Sequence, residues 1–234
     1  MIESPLLLLA GGFGTRLASV VADVPKPLAP VNGRPFLYYQ IESCRGQGIN
    51  HFIFLIHHLA GKMRNFIAVE HESGILKDCR VDIVEELVPL GTGGSIKNAV
   101  KQLGLKGSFL VSNADTYLSG GVKEVHSTTA PAIATLMVDD VTRYGKVELQ
   151  ADLVQSFVEK GNSTGSGLIN SGLYHLHPSV FENIQEDAFS IEQTLFPFLV
   201  QSKQLRAVSI DSEFIDIGLP EDYFKFQVRQ TNEH

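Results

Sequence analysis

The spacing of hydrophobic residues in the first half of the chain predicts buried strands that alternate with helices. Continuous apolar runs are typical of strands buried on both faces, and spacings of three and four residues are typical of helices. Strands are predicted at residues 5–10, 52–56, 79–84 and 108–111. Helices are predicted at residues 35–44 and 62–71, and in a third segment where Ile96, Ala99, Val100 and Leu103 share one face. This βαβ order indicates an α/β fold with a mixed, mostly parallel central sheet and helices on both faces.

The second half of the chain has short polar breaks between its apolar segments, which favours antiparallel strands added to the sheet. Strands are predicted at residues 132–138, 146–149, 154–158, 167–176, 205–210 and 214–217. Helices are predicted at residues 178–184, at residues 191–200 after a Ser190 cap, and from Pro220 onward. The sequence has no evident internal repeat or tandem hexapeptide pattern. We therefore expect a single domain over residues 1–234, without a C-terminal β-helix domain.

The charge balance argues against a protein that binds nucleic acid or a membrane surface. Lys and Arg number 19 against 26 Asp and Glu, and this net charge of −7 repels phosphate backbones and anionic lipids. Cys44 and Cys79 lack the spacing of a redox or zinc motif. The apolar run at residues 6–10 is much shorter than the ~20 residues of a membrane helix, and it follows Glu3 instead of a basic segment. We expect a cytoplasmic protein.

A glycine-rich loop follows the first predicted strand, with the sequence LAGGFGTRL at residues 9–17. Ligands of open α/β sheets bind beyond the carboxyl ends of the strands, where this loop lies. Gly11, Gly12 and Gly14 let backbone N–H groups approach phosphate oxygens, and Arg16 adds a permanently charged fork of donors. The alternative is a tight strand-to-helix turn, which accounts for the glycines but leaves the arginine unexplained.

Lys26 stands between two prolines, Pro25 and Pro27. Because proline restricts its own backbone and that of the residue before it, we expect an extended segment that aims the ammonium at a fixed anion. A rigid surface loop with a solvated lysine is the alternative.

Together these segments resemble the signature of the sugar-1-phosphate nucleotidyltransferases, which join a nucleoside triphosphate to a sugar 1-phosphate and release pyrophosphate. The further matching motifs are PLGTGG at residues 89–94, NAD at 113–115, EK at 159–160, NSG at 170–172 and FIDIG at 214–218. The resemblance covers nearly the whole chain. It implies a Rossmann-like nucleotidyltransferase fold, with residues 1–120 mainly binding the nucleotide and residues 121–234 mainly binding the sugar phosphate.

Three segments are most similar to the short D-glycero-α-D-manno-heptose 1-phosphate guanylyltransferases, namely residues 143–145, 168–170 and 216–223. The implied reaction joins GTP to the heptose 1-phosphate and forms GDP-D-glycero-α-D-manno-heptose, a precursor of surface polysaccharide such as capsule, S-layer glycan or lipopolysaccharide. A mannose or other hexose 1-phosphate nucleotidyltransferase is the first alternative. A non-catalytic nucleotide-sensing subunit is the second. A homodimer is one alternative for the oligomeric state.

The resemblance implies a role for each matching residue. Arg16, Lys26 and Asp115 would be catalytic, and Asp115 and Asp216 would bind Mg²⁺, which suits paired carboxylates completed by phosphate and water. The nucleotide-binding residues would be Leu9, Ala10, Gly11, Gly12, Gly14, Thr15, Glu86, Gly91, Thr92 and Asn113. The sugar-phosphate-binding residues would be Gly145, Glu159, Lys160 and Asn170.

The resemblance also implies that Glu86 influences the choice of base, because guanylyltransferases place a carboxylate at this position, and a carboxylate accepts hydrogen bonds from the N–H donors on the Watson–Crick side of guanine. A surface carboxylate is the alternative, since Glu85 is adjacent. The chain departs from the family at Ala114, where a glycine usually precedes the aspartate, and at Gly161, where many members have proline. We expect activity to survive the first departure and the loop at the second to be mobile.

Overall fold

The computed structural model describes residues 1–14, 17, 20–21, 23–158 and 161–232. Its backbone contacts divide the chain into two compact units. Unit 1 comprises Met1–Pro89, Asn113–Ser119 and Glu213–His234, and unit 2 comprises Leu90–Ser112 and Gly120–Ser212. Both units are therefore assembled from segments that are distant in sequence.

The predicted strands occur in the expected order, and the structure adds three short strands, at residues 30–31, 34–35 and 116–118, that the hydrophobic pattern did not predict. The strands are β1 (Leu6–Leu9), β2 (Pro30–Val31), β3 (Arg34–Pro35), β4 (His51–Ile56), β5 (Arg80–Glu85), β6 (Phe109–Asn113), β7 (Thr116–Leu118), β8 (Ala132–Val138), β9 (Lys146–Gln150), β10 (Leu153–Val158), β11 (Gly167–Leu176), β12 (Arg206–Ser209) and β13 (Phe214–Asp216). The α-helices are α1 (Phe36–Gly46), α2 (Ala60–Ser73), α3 (Gly91–Leu103), α4 (Val122–Ser127), α5 (Phe196–Gln201) and α6 (Pro220–Asn232).

Unit 1 contains a parallel arrangement of β5, β4 and β1, with β4 in the middle. The strand residues Phe52–Ile56 are fully buried, which confirms the prediction from their continuous apolar run. In this register Leu9 of β1 pairs with Leu55, and Ile56 pairs with Glu85. The carboxyl ends of the strands therefore lead into the glycine-rich loop and into Glu86.

A two-stranded ribbon in unit 1 joins two segments that lie about a hundred positions apart. Strand β7 pairs antiparallel with β13, so that Asp216 lies opposite Thr116. The short strand β7 was not predicted, because three residues carry no periodicity that can be told from a turn. This ribbon places Asp115, just before β7, beside the end of β13.

A cluster of aromatic and aliphatic side chains packs behind this ribbon. Phe226 of α6 lies in it with its ring 4.8 Å from that of Phe36 and 5.1 Å from that of Tyr117. Ile217, the residue after Asp216, is fully buried in the same cluster. Burial of Ile217 fixes the backbone that carries the neighbouring carboxylate.

Unit 2 contains a mixed sheet in the order β6, β11, β8, β12, β10 and β9. Strand β11 pairs antiparallel with β6 and β8, and β9 pairs antiparallel with β10, as predicted for this half of the chain. Strand β12 instead runs parallel to β8, with Arg206 opposite Ala132. A shift of register in β11 lies between Asn170 and Tyr174, at Gly172, whose φ is 80°.

The helices of unit 2 depart from the predictions in three places. The helix expected at residues 178–184 is a 3-10 turn at Pro178–Phe181, and α4 was not predicted. The helix expected at residues 191–200 begins as a π-helical turn at Ile191–Leu195 and continues as α5. Ser190 caps it as predicted, since its side chain accepts a hydrogen bond from Gln193 N. None of the helices in the described part of the chain has the length and apolar character needed to span a membrane.

Candidate functional site

The glycine-rich loop of unit 1 is held against the neighbouring strand and the lysine segment. Ala10 N donates a hydrogen bond to Leu55 O at 2.9 Å. A Cβ at Gly11 would lie 3.2 Å from His57 Cβ. Gly14 has a φ of 60°, and a Cβ there would lie 2.9 Å from Lys26 Cβ. Gly14 is thus a position where both the backbone conformation and the close approach require glycine.

This loop lines a cleft of about 180 Å³ in unit 1. The lining residues are Leu9, Ala10, Gly12, Gly14, Lys26, Pro27, Asp115 and Gly218. The cleft therefore combines the glycine-rich loop, the lysine and the strand-end aspartate that the sequence singled out. Two further predicted residues of the loop, Thr15 and Arg16, lie outside the described residues.

Lys26 is held by two carboxylates of unit 1. Its side chain is 9% exposed, and Nζ lies 2.5 Å from Asp115 Oδ2 and 3.6 Å from Asp216 Oδ1. The extended conformation predicted for this lysine is wrong, because Pro25 is extended but Lys26 begins a 3-10 turn, Lys26–Leu28. The solvated surface lysine is also excluded. The turn directs the ammonium into the cleft.

Backbone hydrogen bonds hold the two aspartates in place. Ala114 N donates to Leu9 O at 3.2 Å, and Ile217 N donates to Asp115 O at 3.1 Å. Ala114 stands where the family usually has glycine. Its methyl group is fully buried. The bond from Ile217 joins the segments that carry Asp115 and Asp216.

The two carboxylates fit the ligand requirements of Mg²⁺. Both side chains are partly accessible, at 35% for Asp115 and 28% for Asp216, and both face the same ammonium. Gly218 N donates to Asp216 Oδ1 at 2.7 Å, and among the described residues Oδ2 of that carboxylate is left available for a metal. Within the described residues, no group of three or more His, Cys, Asp and Glu could hold a metal ion. Mg²⁺ does not need such a group, since one or two carboxylates with phosphate oxygens and water suffice.

The adjacent glutamates after β5 differ sharply in environment. Glu85 pairs with Arg64, with Arg64 Nε 2.8 Å from Glu85 Oε2. Glu86 is buried at 7% exposure, and its backbone is fixed on both sides by Ile56 O and His57 Nδ1, the latter 2.8 Å from Glu86 O. The surface alternative for Glu86 is therefore wrong. Asn113, also predicted to bind nucleotide, ends β6, and its carbonyl accepts a hydrogen bond from Gln40 Nε2 at 2.7 Å.

The second glycine-rich stretch, at the start of α3 in unit 2, is occupied by contacts within that unit. Gly93 N and Gly94 N donate to Phe189 O, and Gly91, with a φ of 70°, would place a Cβ 2.6 Å from the same oxygen. Thr92 Oγ1 lies 2.9 Å from Glu192 Oε2. These contacts account for the glycines as packing positions and leave the predicted nucleotide roles of Gly91 and Thr92 as predictions.

A second pocket, of about 620 Å³, lies in unit 2. Its lining residues are Tyr144, Gly145, Lys146, Val147, Phe157, Val158, Asn170, Glu192, Gln193 and Pro197. Gly145 has a φ of 77°, which favours glycine. Asn170 donates to Tyr174 Oη at 3.1 Å and accepts from Gly172 N at 3.0 Å, so its amide is held in one orientation.

The structure brings Gly145 and Asn170 together in this pocket, as their shared predicted role requires. Glu159 and Lys160 lie outside the described residues. Sequence reasoning missed Glu192 and Gln193, which enter the pocket from the π-helical turn. The Ser190 cap and the helical spacing of residues 191–200 predicted a helix here, but neither signal predicts a π conformation.

Comparisons with known proteins agree with this geometry. A family model for Nucleotidyl transferase matches residues 6–233. The chain is 36% identical to a D-glycero-alpha-D-manno-heptose 1-phosphate guanylyltransferase of Campylobacter jejuni, over 95% of this chain and 98% of that protein. It is 34% identical to a mannose-1-phosphate guanyltransferase of Saccharomyces cerevisiae, over 97% of this chain but only 64% of that longer protein.

Solved structures give the same result. HddC from Yersinia pseudotuberculosis is similar with a TM-score of 0.85 and 37% identity, over 97% of this chain and 99% of that one. HddC complexed with GMP-PN is similar with a TM-score of 0.81 and 37% identity, over 95% and 97% of the two chains. These matches confirm the predicted Rossmann-like nucleotidyltransferase fold and the predicted enzyme class. The chain belongs to the nucleotidyl transferase family.

Proposed function

We propose that this enzyme joins GTP to D-glycero-α-D-manno-heptose 1-phosphate and forms GDP-D-glycero-α-D-manno-heptose and pyrophosphate. The observation that carries the nucleotidyl transfer is the placement of Lys26 between Asp115 and Asp216 in the cleft of the glycine-rich loop. The relative named as a heptose 1-phosphate guanylyltransferase supports the substrates, because it matches over 98% of its own length. We place the reaction in the cytoplasm, as a step toward surface polysaccharide.

In this reaction an oxygen of the sugar phosphate attacks the α-phosphorus of GTP. The new P–O bond forms as the bond from the α-phosphorus to the bridging oxygen breaks, and pyrophosphate leaves with that oxygen. The enzyme needs no covalent intermediate, because its task is to align two anions that repel each other and to neutralise the charge that develops.

Lys26 suits that task because its ammonium is nearly buried and fixed in direction. In the proposal it bridges the attacking phosphate and the α-phosphate. Backbone N–H groups of residues 11–14 hold the triphosphate, and Arg16 stabilises the leaving pyrophosphate. Replacing Arg16 by Ala should lower turnover on the order of 10²–10³-fold, as does the loss of other preorganised donors. Unchanged turnover would remove Arg16 from the mechanism.

Asp115 and Asp216 would hold Mg²⁺, which when bound supplies positive charge to the phosphate oxygens of the substrates. Chelation with EDTA should then abolish turnover, and added Mg²⁺ should restore it. Full activity in EDTA would contradict the metal assignment.

Glu86 supports guanine as the base, because it is buried at the end of β5 with its backbone fixed. Glu159, Lys160, Gly145 and Asn170 would bind the sugar phosphate. For the last two, the support is their shared pocket in unit 2.

A mannose 1-phosphate guanylyltransferase is the second candidate. It is favoured by the similarity to the mannose-1-phosphate guanyltransferase of yeast, although the chain spans only 64% of that protein. The two sugars differ by one hydroxymethyl carbon, so they present the same kinds of polar group to a pocket.

The experiment that tests the proposal measures pyrophosphate release with Mg²⁺, crossing five nucleoside triphosphates with the 1-phosphates of heptose, mannose and glucose. Turnover confined to GTP and the heptose phosphate is the expected result. A preference for mannose 1-phosphate would establish the second candidate. Silence across all pairs would overturn the enzymatic proposal and favour a nucleotide-sensing subunit.

A further inference from the structure

Glu192 occupies a distinctive position in the unit 2 pocket. It is the second residue of the π-helical turn Ile191–Leu195, and both it and Gln193 line the pocket that contains Gly145 and Asn170. A π-helical turn is rare and is frequently found at functional sites. Glu192 is exposed and lines this pocket, so its side chain is accessible to a ligand there.

One oxygen of this carboxylate is held by two hydroxyl groups. Thr92 Oγ1 lies 2.9 Å from Glu192 Oε2, and Ser190 Oγ lies 2.7 Å from the same atom. Each hydroxyl also accepts a backbone hydrogen bond, Thr92 from Ile191 N at 2.9 Å and Ser190 from Gln193 N at 3.3 Å. Because the backbone N–H groups can only donate, the hydroxyl protons are directed at Glu192 Oε2.

This arrangement fixes Glu192 and leaves its other oxygen available. Oε1 has no hydrogen-bond partner among the described residues. A carboxylate oxygen can only accept hydrogen bonds, and hydroxyl groups of a sugar are suitable donors. The anchoring hydroxyls thus set the orientation of an acceptor that borders the pocket.

We propose that Glu192 is a sugar-recognition residue, whose Oε1 accepts a hydrogen bond from a ring hydroxyl of the sugar 1-phosphate. This inference rests on the function proposed above. Thr92 and Ser190 are its positioning residues. Thr92, in the second glycine-rich stretch, would thus contribute to sugar binding by orienting Glu192, in addition to any contact with the nucleotide.

The sharpest test is Glu192→Gln, which keeps the size of the side chain. The two hydroxyl donors require an acceptor, so the glutamine carbonyl would take the place of Oε2 and its NH₂ group would face the pocket. We expect KM for the accepted sugar phosphate to rise about tenfold or more, as for loss of a hydrogen bond to a charged group, while KM for GTP stays unchanged. Glu192→Ala should show the same split.

Monodeoxy analogues of the accepted sugar phosphate identify the hydroxyl. With the wild-type enzyme, kcat/KM for one analogue should be about tenfold lower than for the parent sugar phosphate. With Glu192→Gln, the analogue and the parent should have equal kcat/KM, since the same hydrogen bond is already absent. Glu182→Gln is the matched control, because it changes an exposed glutamate of unit 2 that does not line the pocket. It should behave as the wild type does.

Thermal unfolding of each variant separates loss of recognition from loss of the fold. A folded Glu192→Gln enzyme with unchanged KM for the sugar phosphate, or with equal increases for sugar phosphate and GTP, would overturn the role of Glu192 and leave the proposed reaction intact. A wild-type protein without turnover on any substrate pair would overturn both proposals.

Discussion

Lys26 Nζ lies 2.5 Å from Asp115 Oδ2, although 89 positions separate the two residues. The same ammonium lies 3.6 Å from Asp216 Oδ1, so one cation lies close to two carboxylates. Two such carboxylates would otherwise repel each other at close range. The ammonium reduces this repulsion but offsets only one of the two negative charges, so the pair still attracts a further cation.

Replacement of either aspartate should therefore act on the reaction more than on the fold. We expect Asp115→Asn and Asp216→Asn each to lower turnover by about 10²–10³-fold, on the scale of losing a preorganised charge. The residual activity should need more Mg²⁺, because the asparagine amide is a weaker ligand. Steady-state rates over a Mg²⁺ titration measure both effects.

The control for these substitutions is Asp78→Asn, which changes an exposed aspartate in the segment before β5. It should leave both turnover and the Mg²⁺ requirement unchanged. If the Asp115 and Asp216 variants keep the Mg²⁺ dependence of the wild type, the two carboxylates do not bind the metal.

The adjacent glutamates offer a matched pair for the choice of base. Glu86→Gln should lower kcat/KM for GTP about ten- to a hundredfold, because a charged acceptor for the guanine N–H groups is replaced by an amide with one acceptor atom. The value for ATP should not fall. Glu85→Gln, which only weakens the pair with Arg64, should leave both values unchanged. Equal losses for GTP and ATP with Glu86→Gln would exclude a role in reading the base.

Gly14 tests the geometry of the phosphate-binding loop. Gly14→Ala forces a side chain into a φ of 60° and a Cβ to within 2.9 Å of Lys26 Cβ. The backbone strain costs about 1–2 kcal/mol, and displacement of the lysine should lower turnover by about 10²-fold. Gly12→Ala is the comparison, since a Cβ there has no heavy atom of the described chain within 4 Å. Urea unfolding and kcat should show a larger loss for Gly14→Ala than for Gly12→Ala in both quantities.

His175 on β11 should make the stability of the protein depend on pH. Burial lowers the pKa of His175 from its usual value, opposed in part by its hydrogen bond to Thr128 O. Because the unfolded chain takes up the proton more readily, the neutral side chain stabilises the fold fully above about pH 6.5. That stabilisation is lost as the pH falls below this value toward the lower pKa of the folded state.

Urea unfolding at several pH values between 7.5 and 5 measures this effect. The free energy of unfolding should fall more steeply with decreasing pH in the wild type than in His175→Asn, whose amide can still donate to Thr128 O. His177→Asn, at an exposed position, should keep the steep wild-type dependence. Parallel curves for the wild type and His175→Asn would exclude His175 as the cause.

The sequence predicted most of the fold because long apolar runs and helical spacings report burial directly. Strands β8 and β11 begin and end at the predicted residues, and β4 differs by one residue. Strand β7 escaped prediction because its stability comes from pairing with β13, and no local pattern encodes a partner so distant. The π-helical turn was missed for a similar reason, since a hydrophobic pattern does not distinguish it from the first turn of an α-helix.

The candidate site was predictable only in part. Glycines after a buried strand point to an anion site by their own chemistry, whereas Asp115 and Asp216 were paired only through a family resemblance. The 3-10 turn at Lys26 shows that two prolines restrict a segment without fixing which restricted conformation it adopts. No local motif marks Glu192, because one of the hydrogen bonds that orient its carboxylate comes from Thr92, a hundred positions earlier.

Unit 1 consists of three separate segments, so it cannot fold completely until the ribosome has synthesised the last of them. Its last segment contains Asp216 and α6, which packs Phe226 into the cluster behind the cleft. Residues 1–89 leave the ribosome long before that segment is made. The apolar side chains among them that pack against Phe226 therefore stay uncovered until translation ends. Premature termination near residue 213 would leave unit 2 fully encoded and unit 1 without Asp216.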